Sequence, residues 1–351
     1  MIRPIAEDTA TQALPMRLFQ GVADKRRADR VQRELDVVEA GLAEHLAFAS
    51  PIADAPARYL LEAGGKRIRP VLTLVVSELG DGPNDLVRAA AMSVELTHLA
   101  SLYHDDVMDE ATVRRGVPAA HTVWNNQVAI LAGDLLFARA SSLVSGMGER
   151  AILLQAKTFE RLCLGQLHET VGPQPGDDAI KHYIQVLADK TGALIATAAR
   201  MGVMFSNAPK EYEDPVTEYG EMIGVAFQLI DDVIDLSPKA EATGKLAGTD
   251  LRAGVATLPM LLLRRRAAQN PADAALLERL DRGVAETADG ANSPDLDAAI
   301  AELRAHDVTA ETEREARRWA QGAIEALAVL PKSSVRSALA RFAESIVDRN
   351  G

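Results

Sequence analysis

Apolar residues recur along most of the chain at intervals of three and four, the spacing that lines one face of a helix. Alternating β-branched runs, the mark of half-buried strands, are scarce. The pattern predicts helices over about 24–49, from 55 to a break at Gly64-Gly65, and over 69–79. Gly80-Asp81-Gly82-Pro83 stops the third, and Asn84 then reads as the N-cap of a long helix that ends in an acidic run at 105–109. Further helices are expected over 126–146, 149–170, 178–205, 212–236, 255–268, 271–287, 294–305, 308–328 and 332–348. Turn residues crowd 171–178 and 237–254, and organisation is weakest over 288–296. Residues 1–20, with Pro4 and Pro15, predict a loose tail ahead of a single all-α domain over 21–351. Neither an internal repeat nor a glycine-rich phosphate loop after a strand is present.

Composition narrows the class. Of 351 residues 48% are hydrophobic and only 4% aromatic, enough apolar material for a large helical core. Asp and Glu number 50 against 38 Lys and Arg, a formal charge of −12. That balance argues against nucleic acid, whose phosphates need clustered cations, and leaves Lys25-Arg26-Arg27 as a solvated helix face. The one cysteine, Cys163, cannot form an intrachain disulfide; it suits a reducing compartment and is expected as a small buried hydrophobe. No uninterrupted apolar stretch reaches the ~18 residues of a membrane span. The N-terminus, with Glu7 and Asp8, lacks a secretory pattern, so a cytoplasmic location is expected.

Candidate chemistry lies in two acidic words of identical spelling. In His104-Asp105-Asp106-Val107-Met108-Asp109, Asp105 and Asp109 stand one helical turn apart on one face, with Asp106 beside them. Asp231-Asp232-Val233-Ile234-Asp235 repeats D-D-x-x-D, again at the end of an apolar helix. Carboxylates this close repel and need a counter-charge. Mg²⁺ supplies one, because it binds through one or two carboxylates together with substrate phosphates. Two such helix ends could clamp a diphosphate through several ions and neutralise it as it leaves. A metal phosphohydrolase built on His104-Asp105 would need further histidine ligands, which His98 and His121 do not clearly supply.

Cations complete the picture. Arg114 and Arg115 follow the first acidic word, and a guanidinium binds phosphate oxygens in bidentate fashion. In Gly64-Gly65-Lys66-Arg67-Ile68-Arg69-Pro70 the glycines let the backbone approach a ligand, Lys66 and Arg69 can meet a diphosphate, and Pro70 sits near a helix start.

These segments in this order resemble the trans-isoprenyl (polyprenyl) diphosphate synthase family, long-chain type, over about residues 25–348. They are GGKRIRP, ELTHLASLYHDDVMDEATVRRG, DKTGALIATAARMG, FQLIDDVIDL, and TGKLAGTDL with the later TLP. The resemblance implies an all-α isoprenoid (terpenoid) synthase bundle with a central active-site cavity, normally a homodimer. It implies that Lys66, Arg69, His98 and Arg115 hold isopentenyl diphosphate and that Arg114 contacts the allylic diphosphate. Asp105 and Asp109 would ligate Mg²⁺ on one side and Asp231 on the other, with Asp106, Asp232 and Asp235 supporting those shells and about three ions per site. Lys190 and Lys245 would flank the allylic leaving group, with Thr191 and Gln228 lining the region where positive charge develops. One departure is Val255 in Gly254-Val255-Ala256-Thr257-Leu258-Pro259, where many members carry a lysine; Arg252 is the candidate substitute.

In the family, bulky aromatics four and five residues before the first Asp block chain growth. Here those positions are Ser101 and Ala100, both small, and Thr97 lies a further turn down. Met92 and Leu96 are candidates for setting the depth. The expected product is medium or long, C30–C50, suited to a quinone side chain, with transient membrane contact for its release; a geranylgeranyl (C20) or shorter product is the alternative. A class I terpene cyclase is disfavoured by Asp235 and Lys239 in its second motif and by a GGKRIRP segment it would not use. A non-catalytic subunit of a heteromeric synthase is disfavoured by retention of both acidic words.

Overall fold

A computed structural model describes residues 9–19, 22–237, 247–286 and 293–348. Helices dominate them: α1 Thr9–Leu18, α2 Val22–His45, α3 Pro51–Glu62, α4 Ile68–Ser77, α5 Asp85–Met108, α6 Ala120–Val123, α7 Asn126–Ser145, α8 Glu149–Val171 and α9 Ala179–Leu187. Then follow α10 Ala193–Phe205, α11 Glu213–Asp235, α12 Thr249–Arg252, α13 Leu258–Ala267, α14 Pro271–Glu286, α15 Pro294–Ala305, α16 Asp307–Ala326 and α17 Ser334–Val347. The all-α expectation holds.

Local chemistry sets the helix starts. Asn84 accepts the Val87 N–H, Asn125 that of Val128, and Ser293 that of Leu296, so each supplies an orphan donor of its first turn with a side-chain acceptor. Pro51 and Pro294 open their helices where no intrahelical N–H is required.

Expected as one domain, the chain groups into two compact units, each drawn from three stretches. The first unit comprises Met1–Glu160, Leu194–Gly220 and Ala326–Phe342. Its core forms where α5 lies along α7, burying Leu96, Leu99, Ala100, Ala132, Leu136 and Ala140. A leucine buried so fully contributes about 1.5–3 kcal/mol. Within the expected loose tail, Thr9–Leu18 is helical, Leu18 and Phe19 are buried, and Arg341 Nε donates to the Leu18 carbonyl at 2.7 Å; residues 1–8 and 20 lie outside the described residues. Helix α7 has the length and apolar composition of a membrane span, yet it carries Asp134 and Arg139.

The second unit comprises Arg161–Ala193, Glu221–Glu325 and Ala343–Gly351. In it α13, α14 and α15 pack in succession, burying Leu262, Leu263, Leu276, Leu280 and Ile300. Cys163, expected buried, is exposed on α8.

Two departures from plain α-helix bear on function. Val113–Arg114 and Val117–Pro118 pair as a two-stranded antiparallel hairpin. Its two turn residues, Arg115 and Gly116, have φ of 52° and 76°, the sign a tight type I′ turn demands at both positions. The predicted continuous helix over 178–205 is interrupted by a π turn at Ala188–Gly192. Such wide turns cluster at functional sites.

Candidate active site

In the first unit the acidic word closes α5, and its three carboxylates have different surroundings. Asp105 is half-buried and Asp109 exposed at the helix C-cap. Asp106 turns inward, is fully buried, and accepts Arg114 Nε at 2.6 Å. Burial raises its carboxyl pKa while Arg114 pulls it back down. The inward acid thus fastens the hairpin that bears Arg114 and Arg115, and the other two lie at the helix end.

Beside it lies a basic cluster. Arg69 is half-buried, and shielding from water lowers its guanidinium to about 10; Glu95 opposes that shift and Arg115 adds to it. His98, also half-buried, is held well below 6.5 by desolvation first and by Arg69 and Arg115 next, so it is neutral at pH 7. Lys66 is exposed. Arg115 Nη1 donates to the Leu60 carbonyl at 2.9 Å and to that of Gly64. A Cβ on Gly65 would stand 2.9 Å from Arg115 Cζ and would displace this guanidinium, and the φ of 145° there favours glycine as well. The arrangement brings Arg69, His98 and Arg115 together around the buried Glu95, which sequence reasoning did not single out. Its signal was a lone acid in the apolar run Val94-Glu95-Leu96.

Further down α5, Thr97 opens on an internal cavity of about 10 Å³, lined also by Ser93, Val94, Thr158, Thr197 and Met201. The Thr158 and Thr197 hydroxyls hydrogen-bond to each other at 2.6 Å beside it. Ala100 lies instead in the apolar seam between α5 and α7, together with Leu96. Ser101 is half-buried and donates to the His98 carbonyl at 2.9 Å.

In the second unit Lys190 and Thr191 sit on the π turn. Gly165 and Gly224 let it press close: a Cβ at Gly165 would meet Lys190 N at 2.8 Å, and one at Gly224 would meet Gly192 Cα at 2.4 Å. Arg161, another residue the sequence did not flag, ties the turn down. It donates to Asp189 Oδ1 at 2.7 Å and to both oxygens of Glu221 at 2.9 and 3.1 Å. Lys190 pairs with Glu169. Gln228 is half-buried on α11.

The second acidic word closes α11 in parallel fashion. Asp231 is half-buried. Asp232 is buried and accepts the Tyr183 hydroxyl at 2.7 Å and the Leu258 N–H at 3.3 Å. Burial pushes its carboxyl well up, Asp250 and Asp231 add to that, and the two donors oppose it. Asp235 accepts the N–H groups of Thr249 and Asp250, both at 3.1 Å, and so pins the start of α12. Val255 is exposed, and Arg252, the candidate substitute cation, is bonded to Asp297 and to the Ala247 carbonyl. Lys245 and Lys239 lie outside the described residues.

Among the described residues no three His, Cys, Asp or Glu side chains form a closed metal cage. The donors are oxygen alone, offered in small sets at helix ends. That fits Mg²⁺, which completes its shell from phosphate and water, better than Zn²⁺, which takes nitrogen and sulfur.

Residues 50–291 match the family model described as Polyprenyl synthetase. The nonaprenyl diphosphate synthase of Mycobacterium tuberculosis is 42% identical over 294 residues, 84% of this chain and 85% of that protein. The crystal structure of a polyprenyl synthase from Caulobacter crescentus, complexed with calcium and isoprenyl diphosphate, superposes with a TM-score of 0.82 at 31% identity, covering 93% of this chain and 98% of that one. A geranylgeranyl pyrophosphate synthase from Corynebacterium glutamicum, also complexed with calcium and isoprenyl diphosphate, gives 0.80 at 36% identity, covering 95% and 99%.

Proposed function

The chain belongs to the polyprenyl synthetase family, and from that premise we propose that it condenses isopentenyl diphosphate with allylic diphosphates into a medium- or long-chain all-trans polyprenyl diphosphate of C30–C50. The observation that carries the reading is the acidic end of α5 set beside Arg69, His98 and Arg115 in one unit. Such a cluster suits a diphosphate rather than a neutral substrate.

The roles follow from the side chains. Lys66, Arg69 and Arg115 bind the diphosphate of isopentenyl diphosphate, and neutral His98 donates one N–H to it. Arg114, held by Asp106, is the first unit's cation for the allylic diphosphate, and Lys190 and Lys245 are assigned the same role by family resemblance. Asp105 and Asp109 in one unit and Asp231 in the other would hold Mg²⁺, about three ions in all, whose charge would neutralise the departing diphosphate. The allylic C–O bond breaks and its electron pair leaves with diphosphate. The alkene of isopentenyl diphosphate gives its π pair to the allylic cation, forming the new C–C bond. Loss of a proton, accepted by the released diphosphate, restores a double bond. Thr191 and Gln228 stabilise the cation through their oxygens. No protein nucleophile is needed; positioning and electrostatics lower the barrier.

A homodimer is part of this proposal, supported by the exposed apolar residues Ile130, Leu131, Ile152 and Leu153 of the first unit, and a cytoplasmic location is proposed with it. The long apolar product would serve a quinone side chain and leave through transient contact with a membrane. A second reading, a product of C20, draws support from the likeness to the geranylgeranyl pyrophosphate synthase of Corynebacterium glutamicum at 36% identity.

The test is to incubate the purified chain with Mg²⁺, labelled isopentenyl diphosphate and separate allylic primers, and to size the dephosphorylated products. A ladder ending at C30–C50 is expected. An end at C20 would move the conclusion to the second reading, and no condensation by folded protein would overturn both.

A further inference from the structure

Of the cations around the first acidic word, Arg67 and Arg115 share an unusual property. Both are non-glycine residues in the left-handed region, with φ of 46° and 52°. Such a backbone costs about 1–2 kcal/mol per residue and persists only where the surroundings over-determine it. Both converge on one oxygen: Glu95 Oε1 lies 3.2 Å from Arg67 Nη1 and 4.0 Å from Arg115 Nη2. The Glu95 side chain is 2% exposed and that of Arg67 3%.

The contacts divide the labour. Arg67 is spent on the protein: it donates to the Leu61 carbonyl at 3.1 Å, to Gly64 O at 3.3 Å, and to Glu39. It braces the loop that carries Lys66 and Arg69. Arg115 is fixed at one end by the carbonyls of Leu60 and Gly64. Three guanidiniums gathered out of water repel one another, and a buried anion among them is the counter-charge that lets them assemble before substrate arrives. Glu39 pairs with Arg67, is 39% exposed, and acts on Arg115 more weakly than Glu95 does, so it is the lesser counter-charge there.

We propose that Glu95 is a positioning residue of the isopentenyl diphosphate subsite: through Arg67 and Arg115 it holds the arginine cluster in its binding geometry without touching substrate. The inference rests on the prenyltransferase reading and adds a residue to it. Removing the carboxylate has two opposed effects. It raises the net positive charge, which favours an anion, and it frees the arginines to swing apart and hydrate. Bidentate recognition depends on fixed geometry, so the second effect dominates.

The test uses the full chain and the variants Glu95→Gln and Glu95→Asp, with isopentenyl diphosphate binding measured calorimetrically in chelator, without metal or allylic primer, alongside steady-state kinetics. For Glu95→Gln the Kd and KM of isopentenyl diphosphate should rise about tenfold, while the KM of the allylic diphosphate stays within about twofold. Glu95→Asp keeps the charge but withdraws it by a methylene, and should rise about threefold in the same constants; it carries the test if the glutamine variant does not fold. Unchanged or tighter binding of isopentenyl diphosphate would overturn the inference. So would equal losses toward both substrates, which would make Glu95 an ordinary structural ion pair. Failure of the wild-type chain to bind isopentenyl diphosphate would overturn the prenyltransferase reading, and this inference with it.

Discussion

Tyr183 donates its hydroxyl to Oδ2 of Asp232 at 2.7 Å, the same oxygen that accepts the Leu258 N–H at 3.3 Å. The middle acid of the second D-D-x-x-D is thereby turned into the protein, as Arg114 turns Asp106 in the first. Tyr183→Phe leaves the ring and removes the donor, at a cost of about 1–3 kcal/mol. A drop in melting temperature and a fall in kcat/KM of about tenfold are expected, since Asp231 loses its rigid neighbour. Thermal melts and initial rates would check this; unchanged rates would show that the bond serves folding alone.

The outward acids should behave differently from the inward ones. Asp105→Asn should lower turnover by on the order of 10³-fold with little change in melting temperature. Asp106→Asn should also cost stability, because it strips the buried partner from Arg114. Comparing kcat with melting temperature across the two variants separates the roles. Near-normal activity in Asp105→Asn would contradict the metal-binding role.

Product length offers a sharper contrast. Thr97→Phe would overfill a cavity of about 10 Å³, which holds one water at most, and so tests whether the growing chain reaches this level of α5; a product shorter by one or more prenyl units is expected. Ala100→Phe would instead push into the packed α5–α7 seam and should destabilise the fold by about 1–3 kcal/mol or more. Chromatography of dephosphorylated products reads the first and calorimetric unfolding the second. A product unaltered by Thr97→Phe would place the limit elsewhere.

His98 gives the chain an acid-sensitive element. Its folded-state pKa lies well below the 6.5 of an exposed imidazole. The unfolded chain therefore binds a proton first as pH falls, and the histidine's contribution to stability is lost progressively below about 6.5. His98→Gln should flatten the decline in stability over that range. Denaturant midpoints measured from pH 7 downward would show it, and an identical slope in the variant would refute it.

Much of this was legible in the chain because it is written locally. Asn84 caps α5 as its position before an apolar run predicts, and the two acidic words end their helices as their neighbours require. What sequence could not show is direction. Three aspartates of one word look alike as letters, yet Arg114 beyond the helix end and Tyr183 on another helix decide which turn inward. Glu95 and Arg161 were missed for the same reason: a charged residue within a helix is read as a surface position until its buried partner is known. Helix α1 was missed because Pro15 reads as a breaker, yet it stands inside Thr9–Leu18.

The π turn at Ala188–Gly192 holds one residue more than an α-helix of the same rise would need. In evolutionary language it is a retained insertion. Deleting a single residue there would join α9 to α10 as one unbroken helix and restore regular hydrogen bonding. The helix on either side would keep its face, because the wide turn and the α turn replacing it cover nearly the same rotation, so the change would fall on the turn's own side chains. Lys190 and Thr191 would then turn away from where the wide turn holds them, and the fastening of Asp189 by Arg161 would be lost. The shorter chain would have the more regular helix, and lineages that made that deletion would be expected to have lost the enzyme.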